Sequence, residues 1–315
     1  MKEFIFIPDT NKDSGLGHFF RCLEYSKFVD SKNRITFFIK KGFKKKYLKN
    51  VKIKYFYYNK LNSINLYLKK TKSKSKFLII DSYKKKIHNY NFGKKYDKKI
   101  SILDYKSQSN SDQIIDHTFN RKKNFHKKIK NQKMSIGHNF FPISFIPKKK
   151  NKNTILINFG SVKKDRLIKE SLLFIKKLKF NKKYKIILIN DKINSKVLNN
   201  IQSITKHKIH HRNFISNIYK VYEKTFFSIG ACGISLYERS FFNIPSICIS
   251  VAQNQNYNLK NFYSNNCLLK YNEIIYKDLD KYKFELRLLK VRKNLKKYFS
   301  PSKNILNLKK LFKKI

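Results

Sequence analysis

The sequence has no tryptophan, only five prolines and eight glycines, and just two alanines, Ala231 and Ala252. Acidic residues are also scarce, 19 against 73 Lys and Arg. Neither half shows the carboxylate cluster that a catalytic divalent metal needs, so no metal or other cofactor is expected. The four cysteines, Cys22, Cys232, Cys248 and Cys267, form no C-x-x-C pair. That spacing excludes the common zinc sites and gives no disulfide framework. No long uncharged apolar run occurs, so no transmembrane helix is expected. The opening Met1 to Pro8 is strand-like and lacks the apolar core of a signal peptide. A soluble chain in a reducing cytoplasm is the expectation.

What is abundant is lysine, giving a net charge of +54 over 315 residues. Charge of that size suggests nucleic-acid binding or disorder. However, the excess extends to Asn, Ile, Phe and Tyr, the bias that AT-rich codons produce. The lysines are therefore read as solvated faces, with no specific nucleic-acid partner. Their field would still attract anionic ligands, nucleotide-sugars included. With 41% hydrophobic residues the chain has enough apolar surface for a real core.

Strand-length apolar runs alternate with longer Lys-rich helical patterns. In the first half they are Phe4–Ile7, Ile35–Ile39, Val51–Tyr57, Phe77–Asp81 and Ile100–Asp104. A polar stretch around Pro147 reads as a linker. A second series follows at Thr154–Phe159, Lys185–Ile189, His207–His210, Phe226–Ile229 and Ser246–Val251. Near-continuous apolar strands alternating with helices predict parallel sheets covered on both faces. The expectation is α/β: two Rossmann-like domains, 1–147 and 148–315, in a GT-B arrangement with an inter-domain cleft. The C-terminal helices are assigned to the second domain, with a crossing of the last helix back to the first as the alternative.

Glycine is the most informative residue, because a chain this poor in it retains it where the backbone needs positive φ or close approach. Gly15 and Gly17 follow the first strand and open a helix, with His18 at its start. The helix dipole there disfavours an imidazolium, so His18 is the candidate general base. Asp81-Ser82-Tyr83 ends the fourth strand, a place for site residues or for helix capping. Gly160 ends the first strand of the second half and permits close contact with a phosphate. Gly233 to Ser235 offers backbone amides and a hydroxyl to a diphosphate. Glu238, one turn further, is placed to accept ribose hydroxyls. Asn254 and Gln255 offer amides to sugar hydroxyls or acetamido groups.

Together these segments resemble the UDP-sugar hydrolase family of pseudaminic acid biosynthesis. Its opening pattern is matched by Asp9, Gly15, Gly17, His18, Arg21 and Cys22. Its D-x-Y is matched by Asp81 and Tyr83, and its F-G by Phe159 and Gly160. Gly230, Gly233, Glu238, Arg239, Pro245, Asn254 and Gln255 match its later segments. Ile7, Ser82, Ser161, Cys232 and Ser144 depart from the pattern. The resemblance covers about residues 1 to 265. It implies release of UDP and free sugar from a UDP-linked diacetamido-trideoxyhexose by inverting C–O cleavage, with no metal. With the reading of the residues above, binding roles are expected for Asp9, Gly15, Gly17, Arg21, Asp81, Gly160, Gly233, Ser235, Glu238, Asn254 and Gln255. His18 and Tyr83 are the expected catalytic pair. Wider relatives are glycosyltransferases similar to the one that makes lipid II. A glycosyltransferase using the same UDP site, or a non-catalytic nucleotide-sugar binder, is the alternative.

Overall fold

The computed structural model describes residues 1–11, 16–48, 51, 53–93, 95–148, 150–160 and 164–315. Gly15 and Ser161 lie outside them. The chain divides into two compact units, Met1–Ser144 with Ser302–Ile315, and Phe145–Pro301.

In the first unit the strands are β1 (Lys2–Pro8), β2 (Arg34–Lys40), β3 (Lys54–Tyr58), β4 (Ser75–Asp81), β5 (Lys98–Ile102), β6 (Gln113–Asp116) and β7 (Lys133–Ile136). They form one parallel sheet in the order β3-β2-β1-β4-β5-β6-β7. Helices α1 (Gly17–Ser26), α2 (Asn62–Lys70) and α3 (Lys85–His88) connect its first half. The central strand β1 is apolar on both faces, as a strand covered on both sides must be. Ile5, Ile7, Phe38, Leu78 and Ile80 pack against Ile64 and Leu68 of α2. On other positions Phe4 stacks on Phe77 and Phe6 on Phe37, each pair at 5.0 Å.

The second unit repeats the plan. Its strands are β8 (Thr154–Asn158), β9 (Lys185–Ile189), β10 (Lys208–Arg212), β11 (Thr225–Ala231), β12 (Ser246–Ile249) and β13 (Leu269–Lys270). They pair in parallel in the order β10-β9-β8-β11-β12-β13. The helices are α4 (Asp165–Lys177), α5 (Ser195–Ile201), α6 (Tyr219–Tyr222), α7 (Ile234–Phe241), α8 (Asn256–Ser264), α9 (Tyr271–Ile275) and α10 (Lys281–Tyr298). In α4, Ile168, Leu172 and Ile175 recur at helical spacing and seal one face of the sheet against Ile155, Ile157, Ile186 and Leu188.

The final helix is α11 (Pro301–Lys313). Sequence order places it with the second half, yet Ser302–Ile315 belong to the first unit. Its apolar stripe decides this: the Phe312 ring lies 6.1 Å from Tyr25 and 6.3 Å from Phe4. The buried Asn304 amide also donates to the His138 carbonyl at 3.1 Å.

Candidate functional site

In the first sheet the connection reverses direction between β1 and β4. Open α/β sheets bind ligands outside the carboxyl ends of the strands at such a switch point. The chain places Asp9 after β1, Asp81 to Tyr83 at the end of β4, Asp104 after β5 and His117 after β6. From α1, His18, Arg21 and Cys22 project toward them, since positions three and four apart share a helix face.

Asp81 is fully buried and organises this cluster. Its Oδ1 lies 2.6 Å from His18 Nδ1 and accepts from Arg21 Nη2 at 2.5 Å. Its Oδ2 accepts from Arg21 Nε at 2.6 Å. Burial alone would raise its pKa, but the adjacent Arg21 charge and the hydrogen bonds from His18 and Arg21 outweigh burial and hold it well below the usual carboxylate range. An ionised carboxylate only accepts, so His18 Nδ1 carries the proton. Arg21 Nη2, 3.1 Å from that nitrogen, is then a neighbour and not a donor to it. The His18 lone pair is left on Nε2, the tautomer of a general base. The Tyr83 ring packs edge-on against the imidazole, centroids 4.5 Å apart. Its hydroxyl donates to Asp104 Oδ2 at 3.4 Å, and 38% of the residue is exposed.

Arg21 is 4% exposed and also donates to Asp104 Oδ2 at 2.8 Å and to His117 Nε2 at 3.2 Å. Burial, then the Arg21 charge, pushes His117 down to about 4, so it stays neutral at neutral pH. Burial, then the Asp81 charge, raises the Cys22 thiol, leaving it protonated. Asp9 is also buried. Its Oδ2 accepts from Ser82 Oγ at 2.9 Å, and its backbone N–H donates to the Asp81 carbonyl at 2.7 Å. Asp9, Arg21 and Asp81 thus make protein contacts within the cluster, and Gly17 starts α1 beside it. Asp104 and His117 were missed by the sequence reading. The polar Asp116-His117-Thr118 at the end of β6 repeats the pattern of Asp81-Ser82-Tyr83 at the end of β4 and was the available signal.

The second sheet reverses between β8 and β11, and the other candidates collect at that point. Gly160, two residues past β8, has φ +78°, a conformation that excludes most side chains. At the end of β11 a Cβ on Gly230 would stand 2.0 Å from the Asn158 carbonyl oxygen, so only glycine fits. Gly233 caps the start of α7 and Ser235 sits half-buried in its first turn. Gln255 stands over that turn, its Nε2 at 3.5 Å from where a Cβ of Gly233 would be. Its Oε1 accepts from the Val251 N–H at 3.2 Å. Neighbouring Asn254 is exposed. Glu238 accepts from the buried Tyr222 hydroxyl at 2.8 Å, a contact that fixes the carboxylate and that sequence reasoning did not find. Burial, then the Glu238 charge, pushes the Tyr222 pKa well up, which keeps it a donor.

Among the described residues no group of three or more His, Cys, Asp or Glu side chains is placed to hold a metal ion. Among them, too, no helix is long and apolar enough to cross a membrane.

No family model matches the sequence, and no curated protein sequence does either. Solved structures do match over essentially the whole chain. Acinetobacter baumannii MurG is 11% identical, with TM-score 0.61, covering 100% of this chain and 99% of its own. Phytolacca americana UGT2 complexed with UDP-2fluoro-glucose and pterostilbene is 9% identical, with TM-score 0.62, covering 100% and 99%. TcCGT1 in complex with UDP is 8% identical, with TM-score 0.66, covering 99% and 99%. The fold is the two-sheet, Rossmann-like α/β fold of these GT-B glycosyltransferases.

Proposed function

We propose that the protein is a glycosyl-transferring enzyme that takes its sugar from a UDP-sugar. The observation that carries this reading is the His18–Asp81 pair, with Nδ1 held by a buried carboxylate at 2.6 Å and Nε2 left as base. Likeness in fold to proteins crystallised with UDP and UDP-2fluoro-glucose supports the donor class. In this reading the second unit holds the nucleotide. Backbone N–H groups at the start of α7 and the Ser235 hydroxyl meet the diphosphate. Glu238 accepts the ribose hydroxyls, and Gly160 lets the backbone approach. Asn254 and Gln255 face the sugar. His18 Nε2 removes the proton from the attacking hydroxyl as its oxygen bonds to the anomeric carbon and the C–O bond to UDP breaks. One base and a leaving group that needs no protonation give inversion. Charge developing on UDP is met by amides oriented in advance.

The attacking hydroxyl belongs to an acceptor molecule in the main reading. A second reading, with water as acceptor, draws on the residues of the hydrolase resemblance. His18, Arg21, Cys22 and Asp81 lie in one buried network, with Tyr83 against the His18 ring. One experiment separates the two. UDP-sugars, diacetamido-trideoxyhexoses among them, are incubated in ¹⁸O-water with and without hydroxyl acceptors, and UDP release is followed by proton NMR. Acceptor-dependent release without label in the sugar supports transfer. Acceptor-independent release with label in the free sugar supports hydrolysis. Release from no donor sinks both.

A further inference from the structure

Arg239 is fully buried, the largest such side chain among the described residues. It stands in the last turn of α7 and reaches back along the helix, the direction in which helical side chains lean. Its Nη2 donates to the Ala231 carbonyl at 2.8 Å and approaches Cys248 Sγ at 3.7 Å. Its Nε and Nη1 have no hydrogen-bond partner among the described residues. A Cβ on Gly230 would stand 3.2 Å from Nη1, so the guanidinium lies directly behind the turn that joins β11 to α7.

The charge is as unusual as the hydrogen bonding. The other arginines buried in this fold, Arg21 and Arg121, each meet a buried aspartate. Arg239 meets none among the described residues. Its head also lies toward the start of α7, where the helix dipole is itself positive. An unpaired charge in a dry interior costs several kcal/mol, so the site carries a positive potential that the protein does not neutralise. The Ala231 carbonyl fixes that cation two residues before Gly233, whose following amides open the helix. An anion at this turn would be the missing counter-charge.

We propose that Arg239 is a positioning residue for the diphosphate of the nucleotide donor. It braces the β11–α7 turn from behind and supplies, through the backbone, a charge that the ligand completes without touching it. This rests on the nucleotide reading of the second unit. The selectivity it confers is for the doubly charged diphosphate over the nucleoside.

The test compares UDP with uridine by calorimetry at physiological ionic strength, where surface lysines act over only about 8 Å. Arg239→Met keeps the length and removes the charge. Replacing a buried charge by an apolar side chain of similar size is tolerated or stabilising in many proteins. The UDP-to-uridine affinity ratio should fall at least about tenfold in Arg239→Met, a lower bound for one charge several ångströms from a doubly charged diphosphate at an effective dielectric of about 20. Uridine affinity itself should hold, and Arg239→Lys should restore most of the ratio. Should Arg239→Met fail to fold, Arg239→Gln, neutral but still a donor to Ala231, carries the same comparison. An unchanged ratio in the neutral variant overturns the assignment and leaves the Cys248 sulfur as the counter-ion. Loss of UDP and uridine binding in equal measure also overturns it, as a purely structural effect. A wild-type chain that binds neither ligand overturns the nucleotide site itself, and this role with it.

Discussion

At Asp81 one carboxylate does two separable things. It sets the His18 tautomer through Nδ1 and neutralises Arg21 through both oxygens. His18→Ala removes the base alone and should lower turnover about 10²–10⁴-fold while leaving UDP affinity unchanged. Asp81→Asn should lower turnover as well, because an amide no longer forces the proton onto Nδ1. It should also cost about 3–5 kcal/mol of stability, since it breaks a buried ion pair from one side. Turnover and denaturant midpoints on the two variants separate the effects. Wild-type turnover in Asp81→Asn would show that the carboxylate does not set the tautomer. The same cluster predicts how stability follows pH. His117 and His88 are both pushed down to about 4, each by burial first, so the folded state holds them neutral. Below their ordinary value of 6.5 the unfolded chain takes up those protons and the folded one does not. Stability therefore falls as pH drops from about 6.5 toward 4. The lowered Asp81, Asp104 and Asp116 carboxylates contribute stability above their unfolded value of 3.8 and lose it below that. Chemical denaturation across pH 3 to 8 should show both windows, and His88→Gln should shrink the upper one alone. Asp81 and Tyr83 were legible because they end or closely follow an apolar strand, and His18 because it follows the glycines that open the helix after the first strand. Asp104 was not: it reads as the end of the strand Ile100–Asp104, whereas β5 stops at Ile102 and Asp104 lies in the loop beyond, where Arg21 meets it.

Strands read well where they are long and apolar, and poorly where they are short. β1, β2, β4, β8 and β9 were legible within two residues at either end, because a near-continuous apolar run marks each. β6 and β7 were missed. Gln113–Asp116 offers two apolar residues between two polar ones, and Lys133–Ile136 only Met134 and Ile136. Their pairing depends on neighbours already in the sheet, which local pattern does not show. β13 has two residues and exists by its ladder to β12. Where the strand His207–His210 was expected, β10 runs Lys208–Arg212, its polar carboxyl end extended by pairing with β9. Register constrains glycine too. Gly230 pairs with Asn158 across the β8–β11 ladder, and its missing Cβ leaves room for that carbonyl. Its φ is not left-handed, so alanine brings no backbone strain, only a collision that parting the two central strands would relieve. Gly230→Ala should therefore lose stability near the upper end of the about 1–3 kcal/mol typical of overpacking. Gly160→Ala, with positive φ but nothing within 4 Å of its Cβ, should lose about 1 kcal/mol. Equal losses in denaturant titrations would mean that the close approach is relieved cheaply.

Over the whole molecule, 73 basic residues face 19 acidic ones, and the acids are spent on specific tasks. Glu3 is buried among the hydroxyls of Thr36, Tyr67, Thr71 and Ser73. Asp81, Asp104 and Asp116 bind buried arginines. Few remain to pair with surface lysines, and pairs such as Lys32–Asp30 are exposed, where an ion pair is worth under about 1 kcal/mol. Most lysines therefore meet one another's field across the surface, and repulsion outweighs attraction in the folded state. Salt screens exposed charges beyond about 10 Å at 0.1 M and leaves the buried pairs nearly untouched. Raising NaCl from 0.02 to 0.3 M should thus increase the melting temperature, with most of the gain below 0.15 M. The same field should hold duplex DNA at low salt and release it over that range, as counter-ion release requires of non-specific binding. UDP binding at a built site should survive where DNA does not. A melting temperature that falls with salt would mean that surface ion pairs dominate after all. A DNA complex that persists at 0.3 M would mean that the charge is a recognition surface and not a solvated coat.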